Sequence, residues 1–214
     1  MKIRLILFFT LCFLTAGYFN ASAQSLNEDA LLENWARISQ TLQTDTLLAA
    51  LFEMESSDRF GTNEAISGTL YLWSSGYRIE TDQTKMLVID GISTVLDATQ
   101  RQVIISTYVA EDDDFAPAKL LQKKWLDAYT RNVSKANQTI RWSTEDPFEN
   151  FASISLRLTS QFPYELVAED QLENNVALFL SNQKWVSLKT AKKSGLFLLE
   201  TPTDFELIDL RDDQ

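Results

Sequence analysis

The sequence predicts a mostly β domain of the α+β class, one antiparallel sheet with helices packed against it. Three observations predict it. Across residues 66–106, five short alternating segments follow one another with tight turns between them. Asp90-Gly91 joins two of these segments, and Asp-Gly suits a type I′ hairpin because both of its central residues need φ > 0. Ahead of them, Leu31, Trp35, Ile38 and Leu42 recur at helical spacing and form one apolar stripe. A meander of this kind makes a curved sheet with a concave face, and a helix laid over that face lines whatever space remains.

Residues 1–23 read as a secretory signal peptide. Lys2 and Arg4 supply the positive end, residues 3–14 the apolar core, and Ala21-Ser22-Ala23 the small-residue cleavage site. The apolar run is too short and wrongly flanked for a membrane-spanning helix. Cys12, the only cysteine, lies within it, and Leu11 precedes it where a lipoprotein signal requires a small residue. The mature chain, residues 24–214, is therefore expected to be exported, soluble, unacylated and free of cysteine.

Ser25-Leu26-Asn27-Glu28 has the form of a capping box and opens the first helix. Residues 47–56 form the first strand. In 66–73, Ile66, Gly68, Leu70 and Leu72 share a face. Ser74-Ser75-Gly76 turns the chain into 77–81, and Asp82-Gln83-Thr84 turns it into 85–89. Strands at 92–96 and 102–106 follow. An acidic run, residues 111–114, then precedes Pro117 in a short helix carrying Leu120 and Leu121; acids before the first turn and a proline inside it favour a helix start. That run lacks the spaced Asp and Gly of a calcium loop. Further strands are expected at 129–134, 139–144, 152–159, 164–169, 176–180, 185–188 and 196–200. No repeat or linker divides the chain, so 24–214 reads as one domain.

Composition removes several functions. There is no histidine, which excludes Ser-His-Asp triads, imidazole bases and histidine-ligated metals together. Removing the signal takes away Lys2 and Arg4 and no acid, which lowers the formal charge from −11 to −13. Such a field repels nucleic acid and anionic head groups and attracts basic proteins. Two sequons, at Asn132 and Asn137, carry little weight by pattern alone. A carboxylate hydrolase would have to use Glu53 and Glu55 or the acids of 112–114. Glycoside hydrolysis needs two acids facing each other across a bond, whereas Glu53 and Glu55 sit side by side on one strand face. Neither catalytic nor metal-binding residues are expected.

The order of several segments resembles a known family. These are the apolar N-terminal helix, Gly68-Thr69-Leu70-Tyr71-Leu72, Tyr77-Arg78-Ile79, Leu87-Val88-Ile89-Asp90-Gly91 and Val103-Ile104-Ile105-Ser106. After them come Phe115 to Leu121, Gly195-Leu196-Phe197, Pro202 and a Phe205 to Arg211 ending. In that order they resemble the periplasmic lipoprotein carriers of the lipoprotein-sorting pathway (LolA-like), in the version found in Bacteroidetes. The resemblance implies a half-open β-barrel of about eleven antiparallel strands with a helical lid over an apolar cavity. It also implies a monomeric periplasmic carrier without cofactor, which takes acylated lipoproteins from an inner-membrane ABC-type transporter to an outer-membrane acceptor. The implied acyl-chain residues are Leu70, Leu72, Tyr77, Ile79 and Leu87 from the strands. Leu31, Trp35, Ile38, Leu42, Leu120 and Leu121 are the candidates from the helices. Many relatives place an Arg-Pro pair where Ser74-Ser75 stands, so a lid held by that arginine is not implied here. Two other readings of the same fold are a lipid or lipoprotein sensor and a carrier of another amphiphile.

Overall fold

In the computed structural model, residues 28–110, 126, 128–134 and 136–211 are described. The signal peptide, the Ser25 capping box, the acidic run at 111–114 and the helix carrying Leu120 and Leu121 lie outside them.

Helix α1 (Glu28–Leu42) leads into strands β1 (Thr46–Ser57), β2 (Asn63–Trp73), β3 (Gly76–Glu80), β4 (Thr84–Ile89), β5 (Ile92–Asp97) and β6 (Gln102–Thr107). After the segment at 111–125 come β7 (Thr130–Ser134), β8 (Thr139–Ser143), β9 (Phe151–Leu158), β10 (Pro163–Asp170) and β11 (Asn175–Ser187). A short helix α2 (Leu188–Lys193) and strand β12 (Glu206–Asp209) complete the described chain. The strands form one open twelve-stranded sheet in the order β12-β6-β5-β4-β3-β2-β1-β11-β10-β9-β8-β7. Every pairing is antiparallel except β12 with β6, which is parallel.

The meander forms as its turns dictate. Asp90 and Gly91 have φ of 52° and 73°, the double positive φ of the predicted hairpin turn. Gly68 has a different reason to be glycine: a Cβ there would stand 1.9 Å from the Glu80 carbonyl oxygen and 3.0 Å from the Phe52 ring. The close pass of β3 over β2 leaves no room for a side chain.

Alternation divides the sheet into two apolar faces. On the inner face Leu48, Phe52, Leu70, Leu72, Tyr77, Val88, Ile140, Trp142, Ile154, Leu156 and Leu166 join the α1 stripe in one buried cluster. On the outer face Leu47, Ala49, Trp73, Leu87 and Ala191 form a second, smaller one. Helix α1 packs on both β1 and β9, which are three strand spacings apart, about 14 Å. At 1.5 Å per residue the helix is about 22 Å long, enough to cross both strands.

Three expectations change. The segments 176–180 and 185–187 are parts of one strand, β11, and Leu188, expected to end the second of them, is the first residue of α2. Between Ala49↔Lys184 and Leu51↔Ser181 the register shifts by one residue, with Asn182 at φ 51°. This bulge breaks the period of two, so the segment reads as two strands. Residues 196–200 are not a strand. Gly195, at φ 77°, ends α2 by donating to the Lys192 carbonyl (3.2 Å), and the Leu196 N–H donates to the Ala191 carbonyl (3.1 Å), the pair of bonds that defines a Schellman stop. The segment after it lies on the outer face. The third change is β12, which is a strand and carries the sheet to twelve.

Candidate functional site

The inner face of the sheet and the helix across it make the candidate site. Leu31, Trp35, Ile38 and Leu42 are all buried in the inner cluster, as are Leu70, Leu72 and Tyr77. Ile79 packs against that cluster and keeps partial exposure. Leu120 and Leu121 lie outside the described residues.

Leu87 stands elsewhere. Its register partner is Arg78, whereas Tyr77 pairs with Val88 and Ile79 with Met86. Paired residues share a face and neighbours in a strand alternate, so Leu87 must face away from Tyr77 and Ile79. It is buried with Leu47, Ala49, Trp73 and Ala191 in the outer cluster. The expectation that Leu87 lines the cavity is corrected by one step of register, and Met86 takes that place.

Following the register outward from Ile79 finds what the sequence reading missed. Ile79, Met86, Val95, Ile104 and Ile208 are successive partners across β3, β4, β5, β6 and β12. All five are half-buried, and all lie on the inner face. A second row, Leu178, Met54 and Ile66, crosses β11, β1 and β2, and Ile66 is 46% exposed. These apolar side chains sit beside the part of the sheet that α1 covers. The signal that could have found them is the pairing register of the hairpins, because each is the cross-strand partner of another.

Few polar groups interrupt this surface. The Tyr77 hydroxyl reaches the Met86 sulfur (3.9 Å), and its ring meets Tyr108 edge-on at 6.1 Å. Ser93 is buried opposite Val88 and next to Ser106 in register. The Trp35 ring lies against Trp142 at 5.2 Å with a 54° tilt, and its Nε1–H is buried without a hydrogen-bond partner. An arrangement of this composition can hold alkyl chains by burial, and the next row on the same face, Thr84, Asp97, Gln102 and Glu206, is polar and bounds the apolar surface at the sheet margin.

The outer face is built differently. Arg78 donates to the carbonyls of Leu196 (2.6 Å) and Leu198 (2.9 Å) and pairs with Glu80. Phe197 meets Trp73 edge-on at 5.0 Å. Arg78 is thus a clamp on the segment after α2, on the side of the sheet away from α1. Glu53 and Glu55 are exposed outer-face residues. Glu55 lines a shallow groove with Ser57, Asn63 and Asn175. Among the described residues no group of three or more acids or cysteines is placed to hold a metal, and no helix is long and apolar enough to cross a membrane.

No family model and no curated protein matches the chain. Solved structures do align with it. A conserved protein from Thermus thermophilus is 14% identical with a TM-score of 0.49, over 83% of this chain and 98% of that one. A LolA superfamily protein from Nitrosomonas europaea is 8% identical with a TM-score of 0.39, over 71% and 92%. A domain described as outer membrane lipoprotein-sorting, from Vibrio parahaemolyticus, is 12% identical with a TM-score of 0.37, over 80% and 99%. The structural neighbours of this chain thus include a LolA superfamily protein and an outer-membrane lipoprotein-sorting domain.

Proposed function

We propose that the protein is an exported carrier that holds the acyl chains of lipoproteins against the inner face of its sheet and moves them between membranes. In this reading it accepts cargo from an inner-membrane ABC-type transporter and yields it to an outer-membrane acceptor. The observation that carries the proposal is the row Ile79, Met86, Val95, Ile104 and Ile208, apolar, half-buried and adjoining a helix that is itself held by apolar contacts. The sequence resemblance set out above supports the same reading.

The energetics match the task. An acyl chain of ~16 carbons gains on the order of 10 kcal/mol by leaving water, at ~0.8 kcal/mol per CH₂. A multiply acylated molecule does not cross an aqueous space unaided. A carrier must come close to the bilayer in apolar quality without exceeding it, or delivery stalls. Half-buried methionine, isoleucine and valine side chains supply a surface of that kind, adaptable rather than shaped to one ligand.

Gentle purification from the native source followed by mass spectrometry tests the function, together with displacement of a fluorescent fatty acid from the pure protein. Acylated protein fragments among the co-purified molecules are the expected result. Glycolipid alone would replace the cargo with another amphiphile. Failure to bind either the native acylated molecules or the fluorescent probe would end the carrier reading.

A further inference from the structure

Three neighbouring hairpin ends hold large apolar side chains out to solvent. β1 turns into β2 through residues 58–62, β10 into β11 through 171–174, and β8 into β9 through 144–150. The antiparallel registers place all three at the same margin of the sheet, since Ser57 pairs with Asn63 and Asn175, Asp170 with Phe151, and Ser143 with Ser153. The hairpins are consecutive in the sheet, so their tips follow one another at about 10 Å, two strand spacings. Phe60, Leu172 and Phe148 are 80%, 61% and 92% exposed.

The same local device presents each of them. An aspartate two residues earlier accepts the backbone N–H of the apolar residue: Asp58 from Phe60 (2.8 Å), Asp146 from Phe148 (3.0 Å) and Asp170 from Leu172 (2.7 Å). Two of the turns match further. Asp58 and Thr62 close the first and Asp170 and Asn174 the second, each with a left-handed fourth residue, Gly61 and Glu173. The Gln171 amide donates to the carbonyls of Asp146 (3.1 Å) and Glu149 (3.4 Å), tying the second tip to the third. The turn does not itself demand an apolar residue: Asp97 does the same for Thr99 (2.8 Å) between β5 and β6 and presents a polar tip. Among the described residues, hairpin ends with a large exposed apolar side chain are these three contiguous ones. Single exposed apolar residues are ordinary, but three on one margin are not.

Charge selects the partner. The three ends carry Asp58, Glu145, Asp146, Glu149, Asp170 and Glu173, and one base, Arg59, which lies over the Phe60 ring at 4.7 Å. We propose that this margin docks a basic protein of the cell envelope, whose apolar pockets take Phe60, Phe148 and Leu172 and whose lysines or arginines face the carboxylates. The proposal rests on the carrier reading only for where the partner resides. A bilayer fits less well. Sinking these tips into a membrane interface would take an ionised aspartate in with each, next to anionic head groups that repel it. The backbone hydrogen bond from Thr62 holds the Asp58 carboxyl below the usual range, so it stays charged.

Membranes of the producing organism serve as the probe in three forms: intact, stripped with protease, and as liposomes of their extracted lipids. The mature protein is expected to sediment with intact membranes and not with the other two. A variant carrying Phe60→Ser, Phe148→Ser and Leu172→Ser should bind at least ten-fold more weakly while retaining the fluorescent fatty acid as the wild type does. Glu145→Gln, Glu149→Gln and Glu173→Gln together should slow association and flatten its dependence on salt. Should the triple tip variant melt early, Phe60→Ser and Phe148→Ser are read singly, since neither side chain is packed. Equal binding to liposomes overturns the protein partner. Undiminished binding by the tip variants, or no binding of the wild type to intact membranes, overturns the docking surface. Loss of fatty-acid binding by the wild type would instead strike the carrier reading.

Discussion

Leu87 stands opposite Arg78 in the β3–β4 ladder, and the pair faces away from α1, while the adjacent pair Ile79 and Met86 faces towards it. One residue of register separates a packing role from a binding role. Met86→Glu is therefore expected to abolish fatty-acid binding with little loss of fold, because Met86 is only half-buried. Leu87→Glu should destabilise the protein by about 3 kcal/mol or more, since it buries a carboxylate among apolar side chains. Denaturant titration and probe displacement on both variants check this. The reverse pattern would place Leu87 at the ligand.

Much of this was legible in local pattern. The α1 stripe shows in the spacing of Leu31, Trp35, Ile38 and Leu42, and the β4–β5 hairpin shows in Asp90-Gly91. What local pattern does not carry is pairing between distant segments. Strand β12 is four residues long and gains its place by lying parallel to β6, about a hundred residues earlier, so no turn announces it. The bulge near Asn182 inserts a residue and erases the alternation that would have shown β11 as one strand. The site divides in the same way. Tyr77, Ile79 and Leu87 are implied by the family resemblance, which does not separate the two faces of a hairpin, whereas Met86, Val95 and Ile104 follow only from knowing which residues they oppose.

Trp35 offers a second test. Its ring is packed in the inner cluster, and its N–H is buried without a partner, which costs roughly 1–3 kcal/mol in the free protein. Trp35→Phe removes that donor and also some packed ring, two changes that oppose each other. The net change in stability is expected to stay within about 1 kcal/mol. A loss of about 3 kcal/mol or more on urea denaturation would show that the packing of the indole outweighs the cost of its unpaired N–H.

Acid should loosen one edge first. A side-chain hydrogen bond from Arg211, reinforced by the Arg211 backbone N–H, draws the Asp209 carboxyl down to about 2. A carboxylate depressed in the folded state contributes stability that is fully present above its unfolded value of ~3.9 and is lost as pH falls through the folded value. The window is therefore roughly pH 4 down to pH 2. Hydrogen exchange of the β12 amides should accelerate across it, and Asp209→Asn should remove most of that dependence. An unchanged profile in the variant would assign the acid response to other groups.

Opening of the helix over the sheet should owe nothing to Arg78. That guanidinium holds the Leu196 and Leu198 carbonyls on the outer face, and α1 lies on the inner one. The buried contacts of α1 are Leu31, Trp35, Ile38 and Leu42, all apolar; Arg37, on its exposed side, reaches the Ser160 carbonyl. Apolar contacts are non-directional, so acyl chains can replace them one after another as the helix lifts, and salt has little to screen. Arg78→Met should release residues 196–199, seen as faster exchange there, and cost about 3–6 kcal/mol for two charge-assisted bonds. The distance from a spin label on α1 to one on β9 should not change in that variant, nor with ionic strength, but should widen when an acylated peptide binds. Widening caused by Arg78→Met alone, or by salt, would mean that charge holds the helix down after all.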